Sequence, residues 1–294
     1  MIRTTPFELV IRQRVAALGR ALPAARKGDV NGVHHARVAT RRLREAFPLM
    51  ANRRVGRKLR KRMRRLTRGL GPVRELDVAL ISLDEIRASG DAPEGGVGRL
   101  REVIGEERER LVVAMIRQID RLDLKKVQKK ALADRSRDAA GVTRVDRKRV
   151  EQADARAARR ADDVRAAIDN AAGIYLADRL HAVRIAVKKL RYAMEIAREL
   201  RASRALARLR TLKRVQDLLG HIHDLEVLIA RTRALQSTAT VRDLKLSGEL
   251  DRLVRFLEME CRRLHVRYMN ERKALLAICD HVTATAEQHR VSAA

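Results

Sequence analysis

The stretches VHHARVATRRLREA (Val33 to Ala46) and LHAVRIAVKKLRYA (Leu180 to Ala193) align without a gap. They place His34 over His181, Arg37 over Arg184, Arg41 over Lys188 and Arg44 over Arg191, at an offset of 147 residues (181 minus 34). Both read as amphipathic helix. At about 100° per residue, Val33, Ala36, Thr40, Leu43 and Phe47 gather within roughly 80° of one side, as do Leu180, Val183, Val187, Leu190 and Met194 in the second copy. The cations and the histidine form an adjoining strip whose members rise about 4.5 to 6 Å from one to the next. Four like charges on one helix face repel each other. Each row therefore requires either carboxylates from a neighbouring helix or a bound polyanion.

A second block repeats in the same order. GLGPVRELDVAL (Gly69 to Leu80) stands against LLGHIHDLEVL (Leu218 to Leu228), with Gly71 under Gly220 at an offset of 149 (220 minus 71). Two registered blocks in a chain without low complexity read as an internal repeat. Between the blocks, Arg57, Lys61, Arg64 and Arg68 recur at spacings of four, three and four, with Arg65 beside them. The matching positions hold Arg210, Lys213 and Arg214, but Asp217 stands for Arg68 and Leu206 for Arg57, which makes the second set the weaker one. Packed side by side, the paired helices would line a basic central groove. Guanidinium forks suit phosphate oxygens, and a duplicated scaffold doubles the length of polymer held.

The rest of the chain reads as helix as well. Strand signals are nearly absent, and Ala, Leu, Arg, Glu and Lys dominate. Thr5, Pro6 and Glu8 form a capping box at the start of a first helix that is expected to end before Pro23. KGDVNG (Lys27 to Gly32) supplies a turn and caps, and the first quoted helix is expected to run to about Ala51. A basic helix follows from about Asn52 to Leu70, GLGP breaks it, and SGDAPEGG (Ser89 to Gly96) is the clearest loop. In the second half, helices are expected over about Asp146 to Ala171, Ala177 to Arg201 and Ser203 to Leu219. The fold class is thus all-α: two antiparallel helical bundles related by a pseudo-twofold, residues 1–140 and 141–294, with apolar faces that can be shared across the seam.

Composition bounds the function. The 294 residues carry 66 Lys and Arg against 37 Asp and Glu, a net charge of +29, which attracts polyanions. Only three Tyr, three Phe and no Trp are present. Sequence-tolerant single-strand binders stack bases on aromatic rings, so the expected ligand is recognised by its charge. Cys261 and Cys279 lie about 27 Å apart along a straight helix, too far to pair. The N-terminal apolar run breaks at Glu8 and Arg12, so no secretory signal is read. No run approaches the roughly 20 apolar residues of a membrane span, and a cytoplasmic protein with reduced thiols is expected.

The two quoted helices, LGPVRELDV and VQDLLGHIHDLEVL together resemble the CHAD family (conserved histidine alpha-helical domain) over roughly Phe7 to Ala286, with His34 and His181 matching the histidines that name it. The resemblance implies an all-helical pseudo-twofold fold with a basic central surface, and non-enzymatic binding of inorganic polyphosphate, often with targeting to polyphosphate granules. The strand-rich pattern of the CYTH-type domain that some members carry is missing, so the chain resembles a stand-alone member.

Other readings attach to the same residues. His34 and His181 can donate to phosphate, cap a helix start or carry a phosphoryl group; the surrounding arginines disfavour a metal cation. His221 and His223 with Asp224 and Glu226 would suggest a metal cluster, but the two histidines point in different directions on a helix or turn; the pairs Glu75/Asp77 and Asp224/Glu226, near helix starts, are read as structural. No cofactor is expected. A sequence-independent DNA- or RNA-binding protein is the alternative, motivated by the net charge, and the basic stretch Arg144 to Arg160, otherwise read as exposed helix, could also touch DNA. A polyphosphate-processing enzyme is disfavoured because no Gly-rich phosphate loop and no convincing magnesium-holding carboxylate pair is present.

Overall fold

The computed structural model describes residues 5–133, 139–171, 173–201, 203, 206–238 and 243–291, with the side chains of 139–145 and 289–291 outside that description. Among the described residues every regular element is helical.

Thr5 accepts a hydrogen bond from the Glu8 N–H at 3.2 Å and starts α1 (Pro6–Arg26) with Pro6 as the first helical residue. The expected end before Pro23 is corrected, because the helix continues to Arg26. In the last turn Pro23 forfeits a single backbone hydrogen bond, while continuing the helix buries Ala25 completely. Gly28 then takes φ +76°, and the Asp29 carboxylate accepts from the Gly32 N–H at 2.6 Å to cap α2 (Val30–Ala46). This helix stops short of the expected Ala51, because Pro48 turns the chain into a 3-10 segment over Phe47–Leu49.

Asn52 caps α3 (Arg53–Gly69) and Gly90, at φ +76°, closes α4 (Gly71–Ser89). α5 (Glu94–Asp120) and α6 (Leu124–Leu132) complete the first half, with Asp123 accepting from the Lys126 N–H at 2.8 Å. The second half consists of α7 (Ala139–Ala171), α8 (Ala177–Leu200), α9 (Ala207–Gln236) and α10 (Leu244–Val291). α9 departs from expectation. It starts later than Ser203 and runs through Leu219 without a break, because the position matching Pro72 holds His221, whose N–H keeps the helical ladder intact.

The apolar strip of α2 is wholly inside: Val33, Ala36, Thr40, Leu43 and Phe47 have no exposed surface. Leu180, Val183, Val187 and Leu190 are likewise buried on α8, each contributing on the order of 1.5 to 3 kcal/mol. The apolar residues form two clusters. Phe7, Leu18, Leu43, Met63 and Val127 belong to one; the other joins Leu76, Leu83, Leu100 and Ile104 of α4 and α5 to residues of α7, α8, α9 and α10. The apolar faces of the two halves are therefore shared. Ion pairs tie α1, α2 and α8 together, each with one buried member: Arg14 pairs with Glu199 at 2.9 Å and Glu195 with Arg42 at 3.2 Å. No described helix is long and apolar enough to cross a membrane. Cys261 and Cys279 both lie on α10, buried and free.

Candidate functional site

α2 packs against both α4 and α8, and α9 packs against α4 and α8, so four helices surround an open cleft of about 880 Å³. α2 supplies His34, Arg37 and Arg41 to its walls, α3 supplies Arg68, and α8 supplies Arg184 and Lys188. Cations carried by three separate helices thus meet in one place.

Arg37 donates through Nη1 to the Thr67 carbonyl at 3.1 Å. The same atom would stand 3.1 Å from a Cβ on Gly71, so the missing side chain lets the guanidinium lie against the first turn of α4. The matching glycine, Gly220, backs the matching arginine more loosely, a Cβ there lying 4.0 Å from Arg184 Nε. Buried Thr40 and Thr67 share a hydrogen bond of 3.0 Å that fixes α3 on α2.

Charge repulsion and burial act together in this cleft. Burial, with Arg41, Arg184 and Arg37 nearby, pulls the Lys188 amine down to about 6, so the ligand-free site holds it largely neutral at pH 7. Burial and then Arg41 and Arg74 lower Arg37 to about 10, which leaves it charged. Burial raises Asp224 to about 6 against the pull of Arg184 and Arg74. His34 is held below its ordinary value by burial and then by Arg74.

His181 does not line the cleft. Its Nδ1 lies 3.1 Å from Nδ1 of His223, which does. Arg191 is committed inside the fold, pairing with Glu195, donating to Gln216 at 2.9 Å and lying over the Tyr192 ring. Arg44 is half-buried and electrostatically coupled to Glu45, Arg60, Arg41 and Arg64. Arg57, Lys61, Arg64 and Arg65 are exposed on α3 outside the cleft lining. Arg210, Lys213 and Arg214 line an adjoining cleft of about 630 Å³ that shares Asp217 and His221 with the first. There Lys213 pairs with Asp217 at 2.6 Å and Arg214 with Glu271 at 2.9 Å.

Sequence reasoning missed Arg74, Gln216 and Arg231, and gave Asp224 and Glu75 no place in the site, although all five line the cleft. A signal existed for three of them: Arg74 and Glu75 match His223 and Asp224 at the offset of 149. The other two carboxylates of those blocks do hold structure. Asp77 binds Arg108 at 2.6 Å and Glu226 accepts from the Tyr175 hydroxyl. Among the described residues no group of three or more His, Cys, Asp and Glu is arranged to hold a metal ion.

A family model, that of the CHAD domain, matches residues 9–233. No curated protein matches the chain. Among solved structures, the crystal structure of the CHAD domain from the plant Ricinus communis is similar with a TM-score of 0.60 and 19% identity, over 92% of this chain and 90% of that one. PptA from Streptomyces chartreusis is similar with a TM-score of 0.57 and 17% identity, over 96% of this chain and 98% of that one. At these identities the likeness carries the fold.

Proposed function

The chain belongs to the CHAD domain family, and from that premise we propose that it binds inorganic polyphosphate, without turning it over, in the cleft between α2 and α8. One observation carries the reading: Lys188 is half-buried beside Arg41, Arg184 and Arg37, whose repulsion the Asp224 carboxylate offsets only in part. Such a cluster is strained when empty and relieved by a polyanion. His34, Arg68 and Arg74 extend the contacts along the polymer, and the cleft shared with Arg210, Lys213 and Arg214 offers it a continuation. The halves 1–140 and 141–294 act as one binding unit, each contributing a wall.

The lining favours a bare phosphate chain over nucleic acid, since no Phe, Tyr or Trp is among its residues to stack a base. A protein of this kind would gather on polyphosphate granules in the cytoplasm. The test is a competition titration at near-physiological salt, with labelled long-chain polyphosphate challenged by duplex DNA and by pyrophosphate. Retention against both is expected. Displacement by DNA, phosphate for phosphate, would overturn the reading.

A further inference from the structure

α3 carries far more charge than the cleft uses. Ten of its 17 residues are Arg or Lys and none is Asp or Glu. No carboxylate pairs with any of these ten among the described residues.

The helix divides its cations between two sides. Arg68 lines the cleft, and Arg60 and Arg64 are felt by Arg44, so that edge faces α2. Gly69 marks the opposite edge, where a Cβ would come 2.8 Å from Gln118 of α5. At about 100° per residue, Lys58, Arg62 and Arg65 lie within roughly 40° of this second edge, whereas Lys61 falls between the two sides. α6 packs against α3 and adds Lys125, Lys126, Lys129 and Lys130, all exposed. Its acidic neighbour Asp123 is engaged as the helix cap.

We infer that this α3–α6 flank is a second polyanion interface, separate from the cleft, that docks the phosphate backbone of double-stranded nucleic acid. Two packed helices lie about 8 to 10 Å apart, so their cations form a band suited to a wide, stiff polyanion that meets both rows at once. The band is purely electrostatic. Leu59, Met63, Leu66, Val127 and Ala131 are all buried, which leaves neither helix an apolar face to sink into a bilayer. Neither helix carries an aromatic ring, so single strands gain no stacking. Contact with phosphates alone makes the binding independent of sequence.

The test compares two charge-reversal variants of the full chain, K58E/R65E/K125E/K129E on the flank and R37E/R184E in the cleft, by fluorescence anisotropy with a labelled duplex and with labelled polyphosphate. For the flank variant, duplex affinity is expected to fall about tenfold or more, its dependence on log salt to flatten by about 3 to 4, and polyphosphate affinity to stay within about twofold. The same four positions changed to Gln give the parallel result, with unchanged circular dichroism. Unchanged duplex affinity, or equal losses for both ligands, overturns the inference. So does loss of binding to phosphatidylserine vesicles with duplex binding intact, which would assign the flank to a lipid surface. Because the duplex is measured by itself, failure of the polyphosphate reading leaves this result interpretable.

Discussion

His181 and His223 meet Nδ1 to Nδ1 at 3.1 Å, so one ring donates while the other accepts, and the pair holds a single proton between those atoms. Burial, with Arg184 and His181 next, lowers His223 to about 4. Its folded value lies below the unfolded 6.5, so the stability it supports is complete above pH 6.5 and is lost as pH falls through about 4. Melting temperature should decline across that window, and the decline should shrink in His223→Gln. An equal decline in the variant would remove His223 as its source.

Lys188 links binding to protons. With the free amine at about 6, a bound polyanion favours its charged form, and protonation of Asp224, also at about 6, acts in the same direction. Polyphosphate binding at pH 7 should therefore take up protons, and affinity should rise as pH drops toward 6. Calorimetry in buffers of different ionisation enthalpy measures the uptake. Lys188→Arg should bind with reduced uptake, whereas Lys188→Met should bind several-fold more weakly. Since the folded value lies below the unfolded 10.5, the unfolded chain at neutral pH holds a proton that the folded amine does not, which destabilises the empty protein between about pH 6 and 10.5, and Lys188→Met should melt at a higher temperature without ligand.

The two matched glycines should differ in tolerance. A Cβ on Gly71 falls 3.1 Å from the Arg37 guanidinium, but one on Gly220 stays 4.0 Å from Arg184. Gly71→Ala is expected to weaken polyphosphate binding several-fold by displacing Arg37, with little change in melting temperature. Gly220→Ala should remain within about twofold of the parent. The ratio of the two affinities is the measurement, and a ratio near one would contradict the close approach at Gly71.

Arg191 should matter for the fold more than for the ligand. Its partner Glu195 is buried and also holds Arg42. Removing that carboxylate leaves Arg191, which is buried nearly as deeply, without its counter-charge. Glu195→Ala is expected to destabilise by about 3 kcal/mol in denaturant unfolding. Arg191→Gln should lower stability while leaving polyphosphate affinity within about twofold.

Much of the architecture was legible because local rules decide it. The Thr5 cap, the Gly28 turn, the limits of α8 and the buried strip from Val33 to Phe47 all follow from spacing and turn chemistry. The end of α1 and the unbroken course of α9 were not, because a proline in a last turn costs little and a histidine in place of a proline costs nothing. The site was legible as a set of cations on helices. It was not legible as a cleft, since a helix wheel cannot say which neighbour each side meets: Arg68 turns inward while Lys61 and Arg65 do not. Arg191 is the opposite case: its counter-charge, Glu195, sits one turn away on its own helix, where the i,i+4 spacing already shows it.

The sharing of apolar faces determines where this chain can be cut. Leu76, Leu83, Leu100 and Ile104 come from the first half of the sequence but pack among residues of the second. A fragment ending at residue 140 would present them to water, and its complement would lose the surface they cover. Each part of the sequence therefore serves as part of the folding template of the other. The two fragments should be recoverable as a co-expressed, mutually bound pair, and neither as a soluble monomer, so a chain of this design is divisible in its covalent backbone and indivisible in its interior.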